Sequence, residues 1–172
     1  MDDALPLSIS FPPIAGKDAH ILILGSMPSI KSLEQQQYYA HPRNAFWPIM
    51  SALFSVTEEL SYKERCVHLV NNKVAVWDVI RACQRKGSLD QHIESSSMTA
   101  NDFNLFFQQH PHIQRIFFNG TKAEQVFNQY VLPTLNDSEI YMPRKRLPST
   151  SPAHAAMNFE QKLELWRQIL AN

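Results

Sequence analysis

The residues with the clearest chemical potential follow the first apolar run of the chain. Residues 21–24 form an unbroken apolar run that ends at Gly25, a pattern typical of a strand buried on both faces of a parallel sheet. Gly25 also allows the next residues to turn sharply and to bring the backbone close to a ligand. Asn44, further on, carries an amide that could orient water or a ligand by hydrogen bonds. The alternative is that Asn44 only caps the helix that follows.

Other polar side chains accompany this segment. Asp78 ends a second apolar run, residues 74–77, and its carboxylate could accept hydrogen bonds from a ligand or could cap the following turn. Tyr38 and Tyr39 carry amphipathic rings, and we expect one of the pair in the core and the other at the site. His41 could bind a phosphate or a base, or could serve as a structural hydrogen-bonding group. Because ligands bind at the carboxyl ends of strands in open α/β sheets, we expect a site here.

Strands that alternate with helices must position these residues. Strands are predicted at residues 20–25, 74–77, 115–118 and, as the weakest, 139–142. Helices are predicted at 31–37, 46–54, 58–71, 100–109 with Thr99 as the cap, 121–132 and 159–170. This alternation indicates a three-layer α/β/α fold around a central, mainly parallel four-stranded sheet. We expect residues 1–172 to form a single domain, with a loosely ordered lead-in at 1–19 and a polar, loop-rich segment at 79–97.

The composition restricts the function classes. Hydrophobic residues make up 44% and charged residues 19% of the 172 residues, as in ordinary globular proteins, and no apolar run is long enough to span a bilayer. The acidic start MDDALPLSIS lacks the basic region of a secretory signal, so we expect a cytoplasmic protein. Cys66 and Cys83, the two cysteines, have no metal-binding spacing and are too few for an iron–sulfur cluster. We therefore expect no metal and no cofactor.

The charge balance gives no global support for nucleic-acid binding. The formal net charge is zero, so a protein of this composition that binds nucleic acid must gather its basic residues on one face. Arg144, Lys145 and Arg146 form the one run of three basic residues in the sequence. Other basic residues that follow predicted strand ends and could extend this cluster are Arg43, Arg81, Arg85 and Lys86. Three adjacent basic residues are also typical of a solvated loop.

Short motifs in a fixed order carry a resemblance to a known family. They are GSMPS at 25–29, YYAHPRNAFW at 38–47, WDVI at 77–80, GSLD at 87–90, FNG at 118–120 and LPSTSPA at 147–153. In this order they resemble the motifs of the uracil-DNA glycosylase superfamily, and most closely those of its hypoxanthine-DNA (deoxyinosine) glycosylase branch. The resemblance extends over nearly the whole chain.

The resemblance implies a monofunctional DNA glycosylase of base-excision repair. Such an enzyme flips a deaminated base out of double-stranded DNA and hydrolyses its N-glycosidic bond, here to release hypoxanthine from deoxyinosine. Excision of uracil or mismatched thymine is the alternative within this class. A catalytically inert nucleic-acid-binding domain is a second alternative, because Met27 and Leu147 replace polar residues of many superfamily members. We expect a monomer, and no lysine occupies a recognisable Schiff-base position.

The resemblance also implies roles for individual residues. Asn44 matches the residue to which the branch's catalytic role is attributed, and Tyr39 matches an aromatic residue that stacks on the flipped base. Asp78 lies about where relatives place an asparagine that reads the base. The other base-binding candidates are Gly25, Ser26, Met27, His41 and Phe46, of which Phe46 could instead belong to the core. The DNA-binding candidates are Arg43, Arg144, Lys145 and Arg146, the phosphate-binding Ser149, Thr150 and Ser151, and the wedge residues Pro152, Ala153 and His154. We expect Asn44 and Ser149 to face the same cleft.

Overall fold

The computed structural model describes residues 4–171, which form two sheets and their flanking helices. The strands in chain order are β1 Leu7–Ile9, β2 Ile21–Gly25, β3 Val74–Asp78, β4 Ile80–Gln84, β5 Thr99–Ala100, β6 Arg115–Asn119 and β7 Arg144–Leu147. Strands β2, β3, β6 and β7 build the central sheet, whereas β1, β4 and β5 form a small antiparallel sheet.

The central sheet is parallel throughout and has the strand order β3-β2-β6-β7. Nearly every residue of β2 and β3 is buried, as expected for apolar strands covered on both faces. Strand β7 lies at the edge, where the exposed Lys145 and Arg146 disfavour pairing with another chain. The predicted α/β class, with helices flanking a four-stranded parallel sheet in three layers, is confirmed.

The helices of the described chain are α1 Ile30–Gln35, α2 Phe46–Phe54, α3 Tyr62–Asn71, α4 Phe103–Gln109, α5 Thr121–Val126, α6 Asp137–Ile140 and α7 Phe159–Trp166. Helix α5 continues directly into one π-helical turn, Phe127–Val131. Large aromatic side chains fill the core between helices and sheet, and those that are fully buried are Phe46, Phe103, Phe118, Phe127 and Trp166. Within residues 4–171, no helix is both long enough and apolar enough to cross a membrane.

The fourth strand of the central sheet lies later in the chain than the sequence predicts. The segment 139–142 is not a strand, because α6 ends within it and pairing with β6 begins only at Arg144. The prediction was wrong because an edge strand needs little apolar surface. In β7 only Leu147 is buried, so the segment resembles a polar loop in sequence.

The lead-in and the segment after β3 are more ordered than predicted. Strand β4 lies in the segment predicted as loop-rich, and β1 pairs with it antiparallel. Phe11 packs edge-to-face on Tyr38, with ring centroids 5.2 Å apart, and its carbonyl accepts the indole N–H of Trp77 at 3.1 Å. Strands of two to five residues are too short to show a clear period of two, so the sequence did not reveal this sheet.

Two helices begin later than predicted because other residues cap them. Helix α3 begins at Tyr62, where Ser61 and Glu64 form a capping box. Helix α4 is capped by Asp102, whose carboxylate accepts the N–H of Leu105 at 3.0 Å. Thr99, the predicted cap, lies in β5 instead.

Candidate active site

A cleft of about 500 Å³ opens at the carboxyl ends of the central strands, a volume typical of small-molecule sites. In the sheet, Gly25 at the end of β2 pairs with Asp78 at the end of β3. The lining residues include Gly25, Ser26, Met27, Tyr39, Asn44, Asp78, Asp90, Asn119, Lys122, Ser149, Thr150, Ser151, Ala153 and His154. The expectation that Asn44 and Ser149 face one cleft is confirmed.

Gly25 allows two polar groups to approach the end of β2. A Cβ atom at this position would lie 2.5 Å from Asp78 Oδ1 and 2.8 Å from the Tyr39 hydroxyl oxygen. Both distances are shorter than a Cβ atom can tolerate, so only glycine fits between these two groups without displacing them. Burial and the neighbouring Asp78 carboxylate raise the pKa of Tyr39 above its ordinary value. The hydroxyl therefore stays protonated and can donate a hydrogen bond.

Tyr39 and Phe46 form a stacked pair beside this point. Tyr39 has a φ of 55°, in the left-handed region that is unusual for a tyrosine. Its ring stacks on Phe46 with centroids 4.1 Å apart, and Phe46 is itself fully buried in α2. The prediction that Phe46 contacts a base is therefore corrected: Phe46 supports the Tyr39 ring from the core. Tyr38 is also buried, and its hydroxyl donates to the Pro12 carbonyl at 2.8 Å.

Asp78 is a buried carboxyl in the wall of the cleft. Burial and the negative charge of Asp90 raise the pKa of Asp78 to about 7, whereas the Arg85 guanidinium acts in the opposite direction. A carboxylate that caps a turn accepts the N–H groups that follow it. Here the next two N–H groups donate to the carbonyls of Gly25 and Ser26, at 2.8 and 3.0 Å. Asp78 therefore does not cap the turn after β3.

The segment that follows β4 is tied to the turn that follows β2. Asp90 accepts the hydroxyl of Ser26 at 2.6 Å, and Ser88 Oγ accepts the N–H of Ile30 at 2.9 Å. Arg85 is only 7% exposed, and its guanidinium donates to the Pro28 carbonyl. Arg85 is thus a buried cation near Asp78, and the prediction that it extends a DNA-facing surface is corrected.

The amide of Asn44 is oriented by the helix that follows it. Asn44 Oδ1 accepts the N–H of Phe46, the first residue of α2, at 2.9 Å. Because a backbone N–H can only donate, this bond requires Oδ1 to face the helix and leaves Nδ2 as a donor for the cleft. The N-cap residue of α2 is Ala45, so the prediction that Asn44 itself is the N-cap is corrected by one residue. Asn44 still binds the first N–H of the helix and also lines the cleft.

Asn119 and Thr150 fix the position of Asn44 relative to β6. Asn119 Nδ2 donates to Thr150 Oγ1 and Asn119 Oδ1 accepts the Thr150 N–H, both at 2.9 Å. The Thr150 carbonyl in turn accepts the N–H of Ala45, directly after Asn44, at 2.9 Å. Thr150 is 1% exposed, so the prediction that its hydroxyl binds a phosphate is corrected. Its partners hold the shape of the loop. Ser149 and Ser151 are half-buried, and their hydroxyl oxygens accept the N–H groups of Ser151 and Ala153 at 3.2 Å, which leaves each O–H to donate.

Several predicted site residues do not line the cleft. His41 Nδ1 accepts the N–H of Arg43 at 3.1 Å, and the His41 carbonyl accepts the N–H of Asn44 at 2.9 Å. His41 thus shapes the turn before Asn44, which agrees with the structural alternative rather than with base binding. Arg43 and Pro152 belong to the two loops that border the cleft but are not part of its wall.

The basic cluster lies on β7 and outside the cleft wall. The Arg144 guanidinium donates to the Ile140 carbonyl at 2.8 Å, so it holds α6 against the strand. Arg146 forms an ion pair with Glu124 at 3.5 Å. Lys145 is exposed. A DNA-binding role of this cluster stays a prediction, and Arg144 already has a structural role.

Comparison with known proteins agrees with this arrangement. The family model of the uracil DNA glycosylase superfamily matches residues 12–171. The chain belongs to the uracil DNA glycosylase superfamily. It is 34% identical to the hypoxanthine DNA glycosylase of Methanosarcina barkeri and 37% identical to that of Methanosarcina acetivorans, each over 114 residues that cover 66% of this chain and 71% of the relative. The solution NMR structure of a candidate uracil DNA glycosylase from Methanosarcina acetivorans matches with a TM-score of 0.76 at 31% identity, over 96% of this chain and 99% of that one.

Membership of the superfamily makes this protein a DNA glycosylase, with DNA as its substrate. Met27 and Leu147 are the two positions at which the motif resemblance led us to expect polar residues. Met27 lines the cleft and Leu147 is 1% exposed in the core, and neither side chain is a hydrogen-bond donor. Polar chemistry in the cleft therefore falls to other groups, of which Asn44, Asp78 and Tyr39 are the best placed.

Several residues of the cleft wall were not assigned to the site from the sequence, and the polar Asn119, Asp90 and Lys122 are among them. Asn119 ends β6 at the same edge as Gly25 and Asp78, so its position after an apolar run was the signal that could have identified it. Asp90 belongs to the GSLD motif, to which no role was given. Lys122 lies in the first turn of α5 and carries no sequence signal of its own.

Replacing Asp78 by asparagine should change how stability depends on pH. Folded Asp78 keeps its proton up to about pH 7, whereas an unfolded aspartate loses it near pH ~4. The folded state thus binds the extra proton, and wild-type stability falls as pH rises through this interval. We expect the unfolding free energy of wild type, relative to Asp78→Asn, to fall by up to about 1.4 kcal/mol per pH unit there. Chemical denaturation between pH 4 and 8 measures this, and parallel curves would contradict the raised pKa.

Replacing Asn119 by alanine should loosen the loop that anchors Asn44. The change leaves the N–H and hydroxyl of Thr150 buried without partners, which should cost about 1–3 kcal/mol of stability and lower the rate of base release. Asn128→Ala, at an exposed position of the π-helical turn, is the matched control and should stay within about 0.5 kcal/mol of wild type. Equal melting temperatures and rates for the two variants would contradict the role of Asn119.

Proposed function

We propose that this DNA glycosylase releases hypoxanthine from deoxyinosine in double-stranded DNA and does not cut the sugar–phosphate backbone. The two Methanosarcina relatives are named hypoxanthine DNA glycosylase, which supports this base. The observation that carries the proposal is the fixed amide of Asn44. Its Oδ1 is held by α2, and its Nδ2 is left as a donor beside a cleft that contains Asp78 and Tyr39.

In this proposal the flipped base enters the cleft and meets Tyr39 and Asp78, while Asn44 Nδ2 donates to the base or to the attacking water. An amide cannot remove a proton from water near neutral pH. Asn44 therefore acts by position and by electrostatic stabilisation, as a preorganised donor does. The positive charge that develops on the sugar is balanced by the phosphates of the DNA itself.

The loop that follows β7 positions the DNA in this proposal. The hydroxyls of Ser149 and Ser151 contact phosphates beside the flipped nucleotide, and such contacts orient the duplex without reading its sequence. Ala153 and His154 lie in the same loop and line the cleft. They fill the space that the flipped base leaves in the stack.

Oligonucleotides with a single inosine, uracil, xanthine or mismatched thymine test the base preference. We expect strand cleavage after alkali at inosine, and weaker cleavage or none at the other bases. Release of uracil or thymine without release of hypoxanthine would favour the alternative activity, and release from none would favour an inert DNA-binding domain. Cleavage before alkali would contradict the monofunctional mechanism and would point to Lys122, which lines the cleft.

Two substitutions of Asn44 separate its catalytic role from its structural role at the start of α2. Asn44→Asp keeps an acceptor for the Phe46 N–H but replaces the Nδ2 donor by an anionic oxygen. It should keep wild-type stability and lose about two to three orders of magnitude in base release. Asn44→Ala should lose as much activity and also about 1 kcal/mol of stability. Single-turnover release and thermal melting decide between the roles, and a fully active Asn44→Ala with a lower melting temperature would rule out catalysis.

Replacing Lys145 and Arg146 together by alanine tests the basic cluster, with Arg144 left to hold α6. If both contact phosphates, DNA binding should weaken and the slope of log K against log salt should fall by about 2. The base preference should not change. The control is the double alanine substitution of Lys17 and Lys63, which are both exposed. Lys17 precedes β2 and so lies at the end of the sheet opposite the cleft. An unchanged salt slope would show that the cluster only protects the edge of β7.

A further inference from the structure

One buried carboxyl group in the cleft has an oxygen that no hydrogen bond of the described chain uses. Asp78 is 3% exposed, and its Oδ2 atom is buried with no hydrogen-bond partner among residues 4–171. Neighbouring aspartates are used differently, since Asp102 caps α4 and Asp90 accepts the Ser26 hydroxyl. The main-chain carbonyl of Asp78, in contrast, is bound by the Asn101 amide at 2.7 Å. The backbone of Asp78 is thus anchored while its carboxyl is left for a molecule that enters the cleft.

The elements around Asp78 present both charged and neutral groups to it. Asp90 faces it from the segment after β4 and favours the protonated carboxyl, whereas Arg85 favours the ionised one. Tyr38 and Tyr39 face it from the loop before α2, and burial raises the pKa of both hydroxyls. They are therefore neutral at physiological pH. Burial is the largest of these effects on the pKa of Asp78, because an isolated charge is disfavoured away from water, and Asp90 adds to it.

The reaction needs a donor for the leaving base. When the N-glycosidic bond breaks, its electron pair goes to the base, which leaves as an anion unless it gains a proton. Leu147, which stands where the motif resemblance implies a polar residue, is buried in the core and cannot donate. A purine has ring nitrogens outside the glycosidic bond that can take up a proton. A protonated carboxyl beside the base supplies it, as in glycoside hydrolysis.

We propose that Asp78 is the general acid of this glycosylase and donates its proton to a ring nitrogen of the departing hypoxanthine. The inference rests on the proposed release of hypoxanthine and adds the source of the leaving-group proton. It also gives a chemical role to Asp78, which does not cap the turn because the two N–H groups after it donate to other carbonyls.

The step balances in atoms and charge. The bond between C1′ and N9 breaks, its electron pair moves to the purine, and the Asp78 proton passes to a ring nitrogen, so hypoxanthine leaves neutral. Water adds its oxygen to the C1′ cation, and the proton that it loses goes to solvent. Asp78, now a carboxylate, takes a proton from solvent and returns to its starting state. No oxidant, metal ion or covalent intermediate with the protein takes part.

The pH dependence of base release has a definite sign under this mechanism. The pKa of Asp78 is about 7, so the acid form prevails below neutral pH. Single-turnover release should fall tenfold per pH unit above this value. A carboxylate that only accepts a hydrogen bond from the base would produce the opposite slope, with release increasing as pH rises.

Asp78→Asn tests the acid with little change in shape. We expect hypoxanthine release to fall by about 10²–10⁴-fold, the range for loss of a general acid, and to lose its alkaline decline. Asp102→Asn, which exchanges the same two side chains at the cap of α4, should keep both the rate and the pH profile. Asp90→Asn should move the alkaline decline to lower pH, because it removes the negative charge that favours the protonated Asp78. The proposal is overturned if Asp78→Asn releases hypoxanthine at the wild-type rate or with the wild-type pH profile. It is also overturned if the alkaline decline in Asp90→Asn lies at the same pH as in wild type.

Substrate analogues identify the receiving atom and separate this inference from the proposed function. DNA with 7-deaza- or 3-deaza-2′-deoxyinosine has a C–H group in place of one candidate ring nitrogen. On one analogue, wild type should release the base about 10²–10⁴-fold more slowly than it releases hypoxanthine from deoxyinosine. Asp78→Asn should release the base from that analogue no more slowly than it does from deoxyinosine. Full release from both analogues by wild type overturns the proposal. If wild type releases no hypoxanthine at all, the proposed function fails as well, whereas release that is insensitive to Asp78→Asn overturns the general acid alone.

Discussion

The register of the parallel sheet is the constraint on which the site depends. Gly25 pairs with Asp78, Leu24 with Phe118, and Asn119 with Leu147, so the ends of all four strands form one row. A slip of one residue in any pair would turn each side chain to the opposite face of the sheet. The apolar interior of β2, β3 and β6 prevents such a slip, because it would expose a buried set of side chains. The packing of the apolar residues thus determines the geometry of the polar residues at the strand ends.

The parts of the fold that the sequence predicts are those with a strong hydrophobic signal. Strands β2, β3 and β6 are unbroken apolar runs, and their order with the helices indicates the three-layer class. Strand β7 has a single buried residue, Leu147. Strand β1 has none and is held by its pairing with β4. Such strands depend on partners far away in the chain, and a local pattern cannot reveal them.

The site shows the same limit at the level of single residues. The motif around Asn44 was visible in the sequence, and so was its ambiguity between a cap and a site residue. The structure removes the ambiguity by showing which amide atom the helix binds. For Asp78 the deciding fact was where two following N–H groups donate, which depends on the packing of β3 against the turn after β2. The bonds between Asn119 and Thr150 join residues 31 positions apart, and the burial of Arg85 depends on a sheet that was not predicted.

The use of several arginines inside the fold has a consequence for how the protein finds its target. Arg85 and Arg144 hold main-chain carbonyls, and Arg115 does the same with the Ile169 carbonyl at 3.0 Å. These arginines are not free to neutralise phosphates, and the net charge of the chain is zero, so undamaged duplex should be held only weakly. We expect short encounters with DNA and frequent dissociation rather than long sliding. During each encounter, the enzyme then recognises a damaged base chiefly by how well the extruded base fits the cleft. For the same reason, the abasic product should be released quickly.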